Sequence, residues 1–301
     1  MRLFSIGLSL VSLCLTACSE TPAAAQSVPP PPVQVGQRGD GAPYEILGSE
    51  VWDVPDPVSG RLYQVFVQLP PSYGSDPDRH YPVLYVTDAD YAFPIIRQIA
   101  RRVNLNDPMV VEFILVGLSY AVGEGGARSR ARDYTPVRIN DRTGGGEAYQ
   151  TYLKTQVLPF IEGRFSADPE RRIFMGHSYG GLLGAQILFS EPELFDGYLL
   201  GSPSFWFADQ VMFQREADYA RTHADLPARI YMYIGEYEVP GVERRRNIYD
   251  MVGDNARFAA RLQSRNYQSL SLSHEILNDE DHLTVAPRGI TKGLLALLPA
   301  S

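Results

Sequence analysis

Gly176-His177-Ser178-Tyr179-Gly180 fits the pattern G-x-S-x-G and is followed by Gly181. It stands between RRIFM, a short apolar run with strand character, and LLGAQILF, a run with helical spacing. A serine on a strand-to-helix turn sits in a strained backbone with its hydroxyl exposed. Side chains flanking it would clash with the neighbouring strand and helix, and glycines at the outer positions remove those clashes. The helix that follows aims unpaired N–H groups and partial positive charge at the reacting oxygen. Such a turn supports attack by Ser178 Oγ on a carbonyl carbon. The pattern alone also occurs in glycine-rich turns; the strand before it and the helix after it are what make Ser178 a nucleophile candidate.

A serine hydroxyl needs a base, and the chain has five histidines. His177 adjoins the serine on a tight turn and points elsewhere. His80 lies in a loop before the third strand candidate, His223 ends a polar helix, and His274 falls inside LSLSHEIL. His282, in NDEDHLTV just beyond the last strand candidate, is where a loop delivers an imidazole over Ser178. The imidazole in turn needs a carboxylate to fix its tautomer and stabilise its cation. The chain order serine, acid, histidine places that carboxylate at a strand end between Ser178 and His282. YIGEYEVPG supplies Glu236 and Glu238, which face the same side on extended chain. Glu238, further into the loop after Gly235, has the better reach; Glu236 and a carboxylate of NDED are the alternatives. The oxyanion formed on attack needs two donors: the Tyr179 N–H after the nucleophile, and the Asp90 N–H in YVTDADYAF after the third strand candidate.

Other residues are candidates for the mouth of the site. SPSFWF follows the strand after the serine turn and places Ser202, Phe205 and Trp206 nearby, where aromatic rings could hold a catechol, a phenolic acid or a sugar. Packing against the core is the competing use of these rings. Arg130 and Arg132 could meet an anionic substrate, although one of them pairing with Asp133 is the simpler use. VGEGGARSRARD and DRTGGGE are mobile by composition and are candidate lids. The acids around His282 lack a second histidine or cysteine at ligand spacing, so no metal is expected.

The elements that must position these residues alternate along the chain. SEVWDV and RLYQVFVQL are strand candidates, the second alternating in the manner of an antiparallel edge. YPVLYVT, VEFILVGLS, RIFMG, GYLLGS, ARIYMYIG and LSLSHEIL are short apolar runs suited to a parallel sheet. Helical stretches lie between them: FPIIRQIARRV, EAYQTYLKTQVLPFIEGRF, GLLGAQILF, ADQVMFQREADYARTH and RRRNIYDMVGDNARFAARLQSR. The alternation predicts an α/β fold, a doubly wound, mostly parallel sheet with helices on both faces and its site at the carboxyl ends of the strands.

The chain has 301 residues, a net charge of −8 and no block of Lys or Arg that could track a phosphate backbone, so nucleic acid is not an expected partner. At the N-terminus, Arg2 precedes the apolar stretch LFSIGLSLVSLCLTA, too short to span a bilayer of roughly 30 Å comfortably. Its end, LTAC, resembles the lipobox of bacterial lipoproteins, with Cys18 lipidated as the mature N-terminus; an ordinary cleaved signal would leave Cys18 incidental. Ser19 after the cysteine favours the outer membrane, facing the periplasm. The only cysteines are Cys14 and Cys18, so any nucleophile of the mature domain is an oxygen. Residues 18–43, with four consecutive prolines, cannot bury enough apolar area to offset ordering and read as a tether. The expected organisation is therefore a signal at 1–17, a tether at 18–43 and one domain at 44–301.

Within that domain RARDYTP, GGGEAYQTYLKTQVLPFIEGRF, RRIFMGHSYGGLLGAQILFSEPELFDGYLLGSPSFWF, IGEYE and DHLTV occur in the order seen in the putative-esterase branch of the α/β-hydrolase superfamily. The chain resembles that branch, which includes enterochelin and bacillibactin esterases, esterase D-type enzymes, feruloyl esterases and mycolyltransferases, over nearly all of the domain. The resemblance implies cleavage of a small-molecule carboxylic ester through an acyl-enzyme, without a cofactor. It puts the nucleophile on Ser178, the histidine on His282 and the acid on the loop holding Glu238. A siderophore-type lactone or ester is the substrate class nearest by analogy; a carbohydrate or phenolic-acid ester, or acyl transfer on the same triad, is the alternative. Two departures stand out. The branch usually carries Asp-Gly after the third strand, where this chain has Asp88-Ala89, and many members carry aspartate where this chain has glutamate.

Overall fold

Runs such as YPVLYVT and GYLLG, apolar at nearly every position, are stable only in a sheet covered on both faces. The chain builds one. The computed structural model describes residue 41 and residues 43–242 and 248–300. The expected signal, the Cys18 lipidation site and nearly all of the tether lie outside the described residues. Among the described residues no helix is long and apolar enough to cross a membrane.

Ile46–Ser301 forms a single compact unit. Its sheet has eight strands: β1 (Ser49–Pro55), β2 (Leu62–Gln68), β3 (Tyr81–Thr87), β4 (Ile114–Ala121), β5 (Ala167–His177), β6 (Gly197–Gly201), β7 (Arg229–Gly235) and β8 (Ser271–Leu277). Their order is β1-β2-β4-β3-β5-β6-β7-β8. β2 runs antiparallel to both of its neighbours and every other pairing is parallel. Every strand candidate of the sequence is a strand here, with one correction of place. β2 is the antiparallel strand but not the edge, because β1 pairs along its outer side. Its alternating burial reports one well-packed face, not an open flank.

Helices α1 (Ala89–Val103), α2 (Gly126–Asp133), α3 (Gly146–Tyr152), α4 (Leu158–Arg164), α5 (Tyr179–Ser190), α6 (Phe207–Thr222), α7 (Met251–Ser264) and α8 (Val285–Leu297) fill the connections; a π turn, Leu153–Val157, joins α3 to α4. α1 and α8 share one core with Leu84, Val86, Ile173 and Met175. α3 to α7 share the other with Val83, Tyr85 and Phe174. Alternate residues of the same strands thus feed two separate cores, as a pleat of period two requires. The first turn of α6 departs from the regular helix, with Ala208, Asp209 and Gln210 all left-handed.

Two helices escape the sequence pattern. α2 occupies the glycine- and arginine-rich segment expected to be mobile. α8 follows His282 and approaches the sheet closely because two of its residues lack side chains. A Cβ on Gly289 would lie 2.3 Å from the ring of Tyr233, and one on Gly293 would lie 2.5 Å from the side chain of Leu199. The parallel register, with His177 opposite Gly201 and Gly235 opposite Leu277, brings the carboxyl ends of β5 to β8 to one edge.

Candidate active site

At that edge β5 ends at His177 and α5 starts at Tyr179, with Ser178 between them at φ 60° and ψ −117°. This backbone is costly for a residue with a Cβ, of the order of 1–3 kcal/mol, and persists only where its surroundings enforce it. The surroundings do so. Ser178 N–H donates to Gly201 O at 2.8 Å, and Ser178 O accepts from the N–H of Leu182 at 3.0 Å. A Cβ on Gly176 would sit 2.2 Å from the carbonyl carbon of Gly180, and one on Gly180 would sit 2.3 Å from Thr87 Oγ1. Both outer glycines are therefore steric necessities of the turn.

His282 lies in the turn between β8 and α8. That turn is organised by Asp281, whose Oδ1 accepts the N–H groups of Leu283 at 2.8 Å and Thr284 at 3.2 Å, while its own N–H donates to Thr284 Oγ1 at 2.9 Å. The imidazole Nδ1–H donates to Glu238 Oε2 at 2.6 Å. Glu238 is 1% exposed. Its Oε1 accepts from Ser202 Oγ at 2.6 Å and from the Gly235 N–H at 2.8 Å. Burial pushes the pKa of this carboxyl up, but the hydrogen bonds and charge of His282, with Ser202 and Gly235, outweigh it and hold the pKa below the ordinary value. Glu236 is exposed and takes the Asp279 N–H at 2.9 Å. Of the acids in NDED, Glu280 faces Arg288 and Asp281 serves its own turn. Glu238 is thus the carboxylate that meets the imidazole.

Ser178 and His282 line one cavity of about 400 Å³, together with Asp88, Tyr91, Tyr120, Arg130, His177 and Leu283. Among the described residues the Ser178 hydroxyl has a single hydrogen-bond partner, Ser204 Oγ at 3.4 Å. It makes no hydrogen bond to His282 in this conformation, and such contacts are often loose before substrate is bound. With Nδ1 engaged by Glu238, Nε2 is the nitrogen left for the serine side. A larger cavity of about 530 Å³, near the carboxyl end of α1, is lined by neither serine nor histidine. Among the described residues no group of three His, Cys, Asp or Glu converges as metal ligands would.

The amides expected to bind an oxyanion head two helices, and neither α1 nor α5 has a side-chain cap. Among the described residues the N–H groups of Asp90 and Tyr179 donate to no partner. The Asp90 carboxylate accepts from Ser119 Oγ at 2.9 Å. The methyl group of Ala89, where the resemblance leads one to expect glycine, is fully buried and is accommodated by Gly117 of β4: a Cβ there would lie 2.9 Å from it.

Four expectations are corrected. Phe205 is 0% exposed and stacks on Phe258 at 4.0 Å, so it belongs to the core and cannot hold substrate. Arg132 is tied to Asp133 at 2.8 Å and to Glu124, and it is Arg130 that lines the cavity. Trp206 is half-buried, stacked on Tyr249 at 3.9 Å and 6.1 Å from the Tyr179 ring, and lines a neighbouring hollow rather than the cavity of Ser178. Ser202 is not at the mouth; it is buried beneath the site as a donor to Glu238.

His177, set aside in the sequence, holds the histidine turn. Its Nε2–H donates to the backbone carbonyl of His282 at 2.9 Å, and the two rings lie 4.7 Å apart. Burial, reinforced by the neighbouring His282, pulls its pKa down to about 3. His177 therefore stays neutral while an unfolded histidine takes a proton near 6.5, so its contribution to stability is full above pH 6.5 and is lost as pH falls toward 3. The expected observation is an imidazole whose side-chain NMR shifts stay flat from pH 8 to pH 5, assigned by their loss in His177→Gln. Titration within that range would contradict the buried, neutral assignment.

The family model described as "Putative esterase" matches residues 57–275. The chain is 27% identical over 274 residues to the ferri-bacillibactin esterase BesA of Bacillus subtilis, covering 85% of this chain and 91% of that protein. It is 25% identical over 234 residues to the siderophore triacetylfusarinine C esterase of Aspergillus fumigatus, covering 71% and 80%. Among solved structures, the BES protein from Bacillus cereus superposes with a TM-score of 0.74 at 24% identity, over 87% of this chain and 98% of that one. This last likeness bears on the fold alone, and it agrees with an α/β-hydrolase sheet.

Proposed function

The chain belongs to the "Putative esterase" family and is a carboxylic ester hydrolase; from that premise we propose that it is a serine esterase working through a Ser178–His282–Glu238 triad and an acyl-enzyme. The observation that carries the proposal is the 2.6 Å bond from His282 Nδ1 to a buried, doubly supported carboxylate beside the cavity of Ser178. Ser178 Oγ turns from Ser204 toward His282 Nε2, passes its proton there and attacks the ester carbonyl carbon. The tetrahedral oxyanion is held by the N–H groups of Tyr179 and Asp90. His282 then returns the proton to the departing alkoxide oxygen as the carbon–oxygen bond breaks. Water repeats the sequence on the acyl-enzyme, releases the acid and restores Ser178. Glu238 stabilises the imidazolium in both halves and keeps Nε2 directed at the serine.

The substrate class we assign is a siderophore-type ester. The relatives named as a ferri-bacillibactin esterase and a siderophore triacetylfusarinine C esterase support it. We further propose that Cys18 is lipidated and holds the domain at the outer membrane, facing the periplasm. The motif LTAC and the proline-rich segment after it support this.

A fluorophosphonate probe should label the wild-type protein and leave Ser178→Ala unlabelled; an unlabelled wild type removes the serine mechanism. In a panel of p-nitrophenyl esters, feruloyl esters and a ferric catecholate trilactone, the trilactone should give the highest kcat/KM. A feruloyl ester in that place would move the enzyme to phenolic esters, and an ester product formed with an added alcohol would show acyl transfer. Fatty-acid labelling in cells should require Cys18, and labelling that persists in Cys18→Ala would exclude the anchor.

A further inference from the structure

Asp88, between β3 and α1, is left-handed at φ 56° and ψ 47°, although it is not glycine. Such a conformation costs a residue with a Cβ roughly 1–2 kcal/mol and needs an external hold. The hold is visible. Tyr120 OH donates to Asp88 Oδ1 at 2.7 Å, Arg130 Nε donates to the same oxygen at 2.9 Å, and Arg130 Nη2 donates to Oδ2 at 3.1 Å. The Asp88 N–H is itself engaged by Tyr134 OH at 3.3 Å.

Arg130 also reaches across to the serine turn. Its Nη2 lies 3.5 Å from the carbonyl oxygen of His177, and its guanidinium carbon lies 5.5 Å from the centre of the Tyr179 ring. One planar group therefore touches both segments that carry the unpartnered amides, 88–90 and 177–179. The Nε and Nη2 that would greet a substrate anion are already spent on Asp88.

We infer that the Arg130–Asp88 pair, completed by Tyr120, is the positioning element that fixes the distance between the two oxyanion amides, Asp90 N–H and Tyr179 N–H. This rests on the serine-esterase reading above. Arg130 acts through these backbone segments and not on the substrate, so its loss lowers the rate of the chemical step and leaves ground-state binding in place. Lysine cannot replace it, because a point charge cannot span the carboxylate bidentately and reach the turn as well.

The test uses the full domain and two p-nitrophenyl esters, one neutral and one carrying a free carboxylate, with a trifluoromethyl ketone whose adduct on Ser178 mimics the oxyanion. Arg130→Gln and Arg130→Lys should each lose on the order of 10²-fold in kcat on both esters. KM should stay within about twofold, and trifluoromethyl ketone affinity should fall in parallel with kcat. Tyr120→Phe, which removes one hydrogen bond and no charge, should move kcat and inhibitor affinity in the same direction by roughly three- to tenfold, and it decides the matter if the arginine variants do not fold. A raised KM confined to the anionic ester would make Arg130 a substrate contact and overturn the inference. So would a folded Arg130→Gln, or failing that a Tyr120→Phe, with unchanged kcat and inhibitor affinity. Fluorophosphonate labelling of the wild type is scored separately: a labelled wild type with indifferent variants sinks only this inference, and an unlabelled one sinks the esterase mechanism beneath it.

Discussion

A carboxylate buried to 1% exposure is the constraint around which the rest of the site is arranged. Removing such a charge from water costs several kcal/mol unless hydrogen bonds replace the lost hydration. Glu238 receives three: from His282, from Ser202 and from the N–H of Gly235. These donors come from just beyond the ends of β8 and β6 and from the last residue of β7, so the charge is stable only if three adjacent parallel strands end in register. The sheet therefore secures the acid, and the acid fixes the imidazole. The short turn built on Asp281 and the hydrogen bond from His177 to the His282 carbonyl constrain the same ring from the backbone side.

A second constraint is the pair of strained residues facing the cavity, Asp88 and Ser178, both with positive φ. Each opens a helix whose first amides have no side-chain cap. An uncapped helix start leaves donors unsatisfied, which a stable structure tolerates where they face solvent or a ligand. Two such starts beside one serine leave the unpartnered amides of Asp90 and Tyr179 that the proposed oxyanion site uses. The absence of Cβ atoms at Gly176 and Gly180 lets the serine turn reach this position, and the empty space at Gly117 does the same for Ala89.

Much of this was legible in the chain because the signals are local. Apolar runs bounded by turns marked six of the eight strands, alternation marked β2, and the strand–glycine–serine–glycine–helix succession marked the elbow. What was hidden depends on direction and on partners. Arg130 and Arg132 are two residues apart on α2 and so point to nearly opposite sides, and nothing in RARD says which side is the cavity. Phe205 and Trp206 adjoin in SPSFWF, yet one enters the core and the other stays at the surface. Glu236 and Glu238 would share a face on extended chain, but the Glu238 N–H folds back to Gly235 O at 3.1 Å and separates them. α2 has no apolar stripe to announce a helix, burying only Ser129 and Asp133, and is tied down by ion pairs to Asp88 and Glu124 outside it. α8 carries glycines that weaken a helical signal while permitting its contact with Tyr233 and Leu199. In His177 the signal was present, as a histidine inside the elbow, but its partner is a backbone carbonyl 105 residues away.

The proposed mechanism requires that Glu238, and not its neighbour in the same loop, orients the imidazole that activates Ser178. Steady-state kinetics of Glu238→Gln and Glu236→Gln on one neutral ester test it most directly. That mechanism predicts a fall in kcat of the order of 10³-fold or more for Glu238→Gln, since an amide can hold the ring in the wrong tautomer and cannot stabilise its cation. It predicts a change of no more than about twofold for Glu236→Gln, an exposed side chain that bonds the Asp279 N–H and not the imidazole. Near wild-type turnover in a folded Glu238→Gln, or an equal loss in Glu236→Gln, would contradict it.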